Sequence, residues 1–154
     1  VSMTQRHWIA IATFGSAALM LGALGFQYLG GFHPCKLCYW QRYPHVVAIV
    51  IGAIALWMPN RLLIVLGALS AAVTGGFGIY HAGVEWKWWE GPTTCTSGDI
   101  SGMSTDALFD QIMNAPLTRC DDIVWQLAGL SMAGWNAILS FVLVGCWLMA
   151  LRRA

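Results

Sequence analysis

The chain has 154 residues, 58% of them hydrophobic and only 10% charged, against the ~25% charged usual for soluble domains. Eight Lys/Arg and seven Asp/Glu cannot clothe a water-soluble surface of this size, and nine Trp with long aliphatic runs exclude disorder. The formal net charge of +1, without a basic run, leaves no electrostatic footprint for nucleic acid, so the solvent for most of the chain is lipid.

Four apolar runs near 8–29, 43–58, 62–82 and 130–150 are candidates to cross a bilayer, which takes about 20 helical residues at ~1.5 Å rise. The first is too long for the ~7–15-residue apolar core of a signal peptide, and no small-x-small cleavage site follows before Tyr28, so it reads as a retained helix. The second is short unless its helix begins earlier. Pro34 at the first helical position, where its missing N–H costs nothing, extends it to 34–58. Pro44 predicts a kink just inside that span, and Pro59-Asn60 a tight turn after it.

In the third run Gly67, Ala71 and Gly75 recur every four residues, with Ala68, Ala72 and Gly76 as a parallel stripe. Small residues at this spacing let helix backbones approach closely in lipid. The stretch 83–129 alone has soluble-protein character. Within it, Ser104 or Thr105 as N-cap, Asp106 in the first turn and Pro116 as the stop predict a short helix over 105–114. Leu108, Phe109, Ile112 and Met113 share one face of it, suited to the membrane surface. Trp86-Lys87-Trp88-Trp89 reads as an interfacial aromatic belt. The fold expected is thus an all-α membrane protein, a single domain built as a four-transmembrane-helix bundle with a short amphipathic helix in the second outer loop.

All seven acids fall within 85–122. Arg6, Arg61, Arg152 and Arg153 lie on three short segments, whereas Lys36, Arg42, Lys87 and Arg119 are spread over longer ones. The denser cations mark the cytoplasmic side, and both termini belong there.

Cysteine carries the chemistry. Cys35 and Cys38 form a C-x-x-C in the first outer loop, Cys95 and Cys120 lie in the second, and Cys146 sits deep in the fourth span as a packing residue. Outer thiols can persist as disulfides, which the cytoplasm would reduce. On a helix starting at Pro34, Cys35, Cys38 and Arg42 stand at i, i+3 and i+7 and share a face. The helix N-terminus with Lys36 and Arg42 favours thiolate over thiol, making the pair reactive. An arginine at the mouth of a bundle is expensive to desolvate. Beside its ordinary use in snorkelling to lipid phosphate, it suits polarising an electron acceptor next to Cys38. A quinone, whose oxygens gain negative charge on reduction, is the natural candidate.

The stretches CKLCYWQRYP at 35–44, GPTTC at 91–95, RCD at 119–121 and GLSMAGWN at 129–136 resemble the bacterial disulfide-bond formation protein B (DsbB) family over nearly the whole chain. The resemblance implies a protein dithiol:quinone oxidoreductase of the bacterial inner membrane, with cytoplasmic termini and periplasmic cysteine loops. It would reoxidise a DsbA-like thioredoxin-fold periplasmic oxidase and pass the electrons to ubiquinone or menaquinone. It also implies residue roles. Cys95 forms the mixed disulfide with the partner, Cys120 is its mate, and Cys35 and Cys38 form the second disulfide. Cys35 exchanges with Cys120, Cys38 donates to quinone, and Arg42 orients the quinone. His81 is the match for a polar, quinone-contacting residue near the outer end of the third span. His33 and His45 flank the C-x-x-C, where tuning the motif competes with an ordinary polar role, and Arg119 sits beside Cys120 with Asp121 as its alternative partner.

Three other classes compete. A four-cysteine zinc site lacks a second C-x-x-C. A static scaffold with two disulfides, in any of three pairings, leaves Arg42 unexplained. A transporter finds no acid in the spans for ion coupling. Neither flavin nor metal is expected, since GGFG at 75–78 lies within a span rather than after a strand.

Overall fold

The computed structural model describes residues 4–92, 95, 101–114 and 118–154. Its long helices are α1 (Gln5–Tyr28), α2 (Lys36–Trp57), α3 (Arg61–Glu85) and α5 (Met132–Arg152), with the short α4 (Thr105–Met113) between the last two. α1, α3 and α5 are each long and apolar enough to cross a membrane. In α2, Lys36, Gln41, Arg42 and His45 fall within the first three turns. Pro116 and Gly98 lie outside the described residues.

Two expected boundaries need correction. Pro34 is not the first helical residue of α2; Cys35 is its N-cap, with extended backbone and its sulfur accepting the Cys38 N–H at 3.4 Å. α3 ends at Glu85, beyond the expected 82, in a Schellman closure: Lys87 N–H meets the Val84 carbonyl, and Trp88 N–H meets that of Gly83. Lys87 holds the left-handed position at φ 61°. The α2 helix runs through Pro44 to Trp57. Ordinary caps start the other elements. The Asn60 side chain accepts from Leu62 N, that of Ser104 from Ala107 N, and that of Ser131 from Gly134 N.

α3 packs between α2 and α5, and α1 closes the bundle against the same two helices. The small-residue stripe explains the closeness of α3 and α5. A methyl group on Gly78 would lie 2.9 Å from the Ala137 nitrogen and 3.0 Å from the Ala133 carbonyl oxygen, so the two backbones touch there. At Gly67 the missing side chain makes room for the fully buried Trp147 ring. The parallel stripe does less, since Gly76 is exposed with open space around it. At one end of the bundle Ile9, Ala55, Ile64, Leu143, Cys146 and Trp147 form an apolar core, the packing role expected of Cys146. At the other end Cys35, Leu37, Val84, Cys95 and Cys120 form a second cluster.

A feature the sequence reading did not anticipate leads into α5. Gln126–Leu127 (β1) pairs antiparallel with Leu130–Ser131 (β2) across Ala128 and Gly129, both at positive φ. Two such residues suit the tight primed turn of a hairpin. Trp135 Nε1 donates back to the Leu127 carbonyl at 2.9 Å and fixes the hairpin to α5. On α4, Phe109, Ile112 and Met113 are exposed, leaving its apolar face free of the bundle.

Candidate functional site

Cys95 and Cys120 are joined in a disulfide with a Cα–Cα distance of 5.5 Å. That pairing was one of three open to the sequence, and it removes two sulfurs from any four-cysteine metal site. Cys35 and Cys38 stand as free thiols with their sulfurs 3.1 Å apart. All four outer cysteines meet in one cluster, with Cys38 at its edge. Cys95 is buried at 2% exposure.

His81 stands at the centre of the cluster rather than at its margin. Its Nε2 lies 3.6 Å from Cys35 Sγ and 3.7 Å from Glu85 Oε1, and its Nδ1 lies 2.7 Å from Gln41 Nε2. Glu85 was expected beyond the membrane span. It is instead the last residue of α3, buried, with Oε2 lacking a hydrogen-bond partner. Gln41, Glu85, Thr74 and Asn136 were not singled out by sequence reasoning. The available signal was a polar side chain inside an apolar span, which needs a partner in lipid.

These polar groups form one directional network. Gln41 Nε2 also donates to the Leu37 carbonyl, and Asn136 Nδ2 to the Thr74 carbonyl, which orients both amides. Asn136 Nδ2 then donates to Gln41 Oε1 at 2.9 Å, while Asn136 Oδ1 accepts from His45 Nε2 at 2.9 Å. Because Gln41 donates to His81 Nδ1, the proton of neutral His81 sits on Nε2, within reach of the Cys35 sulfur, Glu85 Oε1 and the Cys120 backbone. Thr74 Oγ1 ties the network to the backbone by donating to the Gln41 carbonyl at 2.7 Å.

Cys35, Cys38 and His81 place one ligand atom each within 4.8 Å of one another. Metal-binding histidines usually donate through their other ring nitrogen. Here that nitrogen accepts from Gln41 at 2.7 Å instead.

Arg42 donates through Nη1 to Gln27 Oε1 at 2.6 Å and through Nη2 to the Ala23 carbonyl at 3.3 Å, both on α1. Its guanidinium lies over the Tyr39 ring, 5.4 Å from the centroid. Between α1, α2 and α5 opens a cavity of about 350 Å³, walled by apolar residues such as Leu19 and Phe26, with Cys35, Cys38, Arg42, His45, His81 and Glu85 among its lining. His33 is exposed. Arg119 pairs with Asp121 at 2.7 Å, and Lys87 pairs with the same carboxylate at 2.6 Å. Arg119, then Lys87, hold the Asp121 carboxyl down at about 2, and Asp121 in turn raises Arg119.

The sequence model of the family described as disulfide bond formation protein DsbB matches residues 5–150. The chain belongs to the DsbB family. Curated DsbB relatives agree over most of their length. Disulfide bond formation protein B of Verminephrobacter eiseniae (strain EF01-2) is 31% identical over 165 residues, covering 98% of this chain and 88% of the relative. The protein of that name from Polaromonas sp. (strain JS666 / ATCC BAA-500) is 29% identical, covering 90% and 85%. That of Shewanella sp. (strain MR-4) is 29% identical, covering 88% and 79%. No solved structure matches significantly. As a DsbB protein the chain is a membrane oxidoreductase of disulfide-bond formation, and the static-scaffold and zinc readings are not favoured.

Proposed function

We propose that the chain is a four-span, single-domain protein of the bacterial inner membrane, with cytoplasmic termini, that reoxidises a DsbA-like periplasmic dithiol oxidase and delivers the electrons to ubiquinone or menaquinone. The fourth span is α2, whose polar face turns to the cavity rather than to lipid. The observation carrying the reading is that Cys38 and Arg42 line one apolar cavity, while Cys38 also packs against the cluster that holds the Cys95–Cys120 disulfide. Its volume falls in the ~300–1,000 Å³ range of small-molecule sites.

Each exchange is a thiolate attack on a disulfide sulfur. A partner thiolate attacks Cys95 and frees the Cys120 thiolate, and the partner's second thiolate then attacks its own sulfur and leaves oxidised. Cys120 attacks Cys35 of the Cys35–Cys38 disulfide and frees the Cys38 thiolate. Cys95 then displaces Cys35, restoring the Cys95–Cys120 bond. His81 steadies the leaving Cys35 sulfur through its Nε2–H. A quinone supplies, when bound, an acceptor for two electrons and two protons. Arg42, held against α1, offers fixed positive charge where its oxygen gains electron density, and the Cys35 and Cys38 sulfurs close into a disulfide as they lose those electrons.

The test is oxidation of a reduced thioredoxin-fold partner by membranes containing the chain, driven by added quinone. Cys38→Ser is expected to abolish it, and unchanged turnover in that variant would sink the proposal.

A further inference from the structure

Among the described residues Glu85 is the single buried acid, at 8% exposure. It closes α3, and its carboxyl is held from two sides. The Ser131 hydroxyl donates to it while accepting from Gly134 N at 3.2 Å, which ties Glu85 to the start of α5. On its own helix, Oε1 lies 3.7 Å from His81 Nε2. The same nitrogen is 3.6 Å from Cys35 Sγ, and that sulfur is 3.1 Å from Cys38 Sγ. A chain of close contacts thus runs from the carboxyl to the sulfur pair. Oε2 is buried without a partner, and an anionic oxygen placed in that way costs far more than a neutral one.

Charge balance decides when that carboxyl holds a proton. Of the charged residues lining the cavity, Arg119 and Asp122 are exposed and pair with each other at 3.8 Å. With His45 and His81 neutral, Arg42 is the one interior cation. Two groups can carry the matching negative charge, Glu85 and the Cys38 sulfur. Arg42 and Glu85 both act on Cys38 by charge, in opposite senses. Two like charges sharing one low-dielectric site do not both ionise. We propose that Glu85 takes up a proton when Cys38 is released as a thiolate and gives it up when the Cys35–Cys38 disulfide forms again, so that one negative charge faces Arg42 throughout the cycle. The inference rests on the dithiol chemistry proposed above. As a partner dithiol closes to its disulfide, its two electrons break the Cys35–Cys38 bond, and its two protons end on Cys35 as a thiol and on Glu85 as a carboxylic acid, with Cys38 left as the thiolate. When the electrons pass on to quinone, the Cys35–Cys38 bond forms again, and Cys35 and Glu85 release the two protons that hydroquinone gains. Glu85 is a proton carrier for the pair, held in place by the Ser131 hydroxyl.

The experiment records infrared difference spectra of the purified full chain as it is reduced by a phosphine, together with the protons taken up at neutral pH. Reduction is expected to bring up the carbonyl stretch of a protonated carboxylic acid. Glu85→Gln should lack that band and take up one proton fewer than the parent. A band that survives in Glu85→Gln, or equal proton uptake, overturns the proposal. A second measurement does not depend on the variant folding: labelling glutamate with heavy carbon should shift the band in the parent, where the other glutamate, Glu90, is exposed. The absence of a band, or one that the label leaves unmoved, overturns the proposal as well. If mass analysis after alkylation shows that Cys35 and Cys38 never pass between dithiol and disulfide, the redox reading itself fails and takes the proposal with it.

Discussion

Gln41 Nε2 sits 2.7 Å from His81 Nδ1, and this contact between α2 and α3 decides which nitrogen of His81 faces Cys35. A glutamine amide, anchored by the Leu37 carbonyl on one side and by Asn136 on the other, leaves His81 one tautomer. The histidine then meets the sulfur as a donor.

Replacing Gln41 with Glu is expected to reverse that assignment, because a carboxylate draws the imidazole proton to Nδ1. Cys35 then faces a bare, more basic nitrogen that can take its S–H proton, as a carboxylate-backed histidine does beside a nucleophilic cysteine. Alkylation of the reduced Cys35–Cys38 pair at fixed pH should quicken by about fivefold, the worth of roughly 1 kcal/mol. Gln41→Leu should give an intermediate rate, since His81 is freed but not reversed. Equal alkylation rates in all three proteins would remove His81 from the exchange chemistry.

Arg42→Met should raise the quinone KM by about tenfold or more while exchange between Cys95–Cys120 and the partner continues at its normal rate. Arg42→Lys should restore only part of the loss. A lysine lacks the planar fork that lets one side chain engage Gln27 and the Ala23 carbonyl on α1 together. Stopped-flow exchange and steady-state quinone kinetics separate the two readouts.

The Lys87–Asp121–Arg119 contact joins the end of α3 to the segment carrying Cys120. The folded carboxyl of Asp121 sits at about 2, below its usual 3.8. A depressed carboxylate contributes stability above the unfolded value and loses it as pH falls through the folded one. The contact should therefore hold at neutral pH, weaken from about pH 4 downward, and be gone below about pH 2. Asp121→Asn should mimic the acid state at neutral pH, costing at most about 1 kcal/mol because Lys87 and Arg119 are solvent-screened. The measure is reduction of Cys95–Cys120 by a small thiol, which should quicken in the variant and in acid.

Gly78→Ala tests the approach of α3 to α5. Its methyl group would press on the backbone of Ala137 and Ala133, which cannot rotate away, so a loss of about 1–3 kcal/mol is expected. Gly76→Ala, in open space on the same helix, should be close to neutral. Equal melting temperatures for the two variants in detergent would show that the helices do not touch at Gly78.

What could be read from the sequence was what helix geometry fixes locally. The spacing of Cys38 and Arg42 places them on one side of α2 whatever surrounds them, and both line the cavity together with the N-cap Cys35. The join between Cys95 and Cys120 is different. It closes a loop of 25 residues, and nothing in their spacing distinguishes it from the other pairings. Glu85 is hidden from hydropathy because its charge ends the apolar run before the helix ends. The helix continues because Trp86, Lys87 and Trp88 close it one turn later. The His45–Asn136 contact spans 91 residues and depends on how α2 docks against α5, information that no window along the chain contains.

The cap of α2 links these observations to motion. The acceptor for the Cys38 amide is the sulfur of Cys35, so the atom that gains and loses a covalent bond in the cycle proposed above also anchors the start of its own helix. A thiolate accepts a hydrogen bond more strongly than a sulfur engaged in a disulfide. The first turn of α2 is therefore gripped when the pair is reduced and slackens when it is oxidised. Deuterium uptake at that one amide becomes a clock for the redox cycle, ticking at the wall of the cavity.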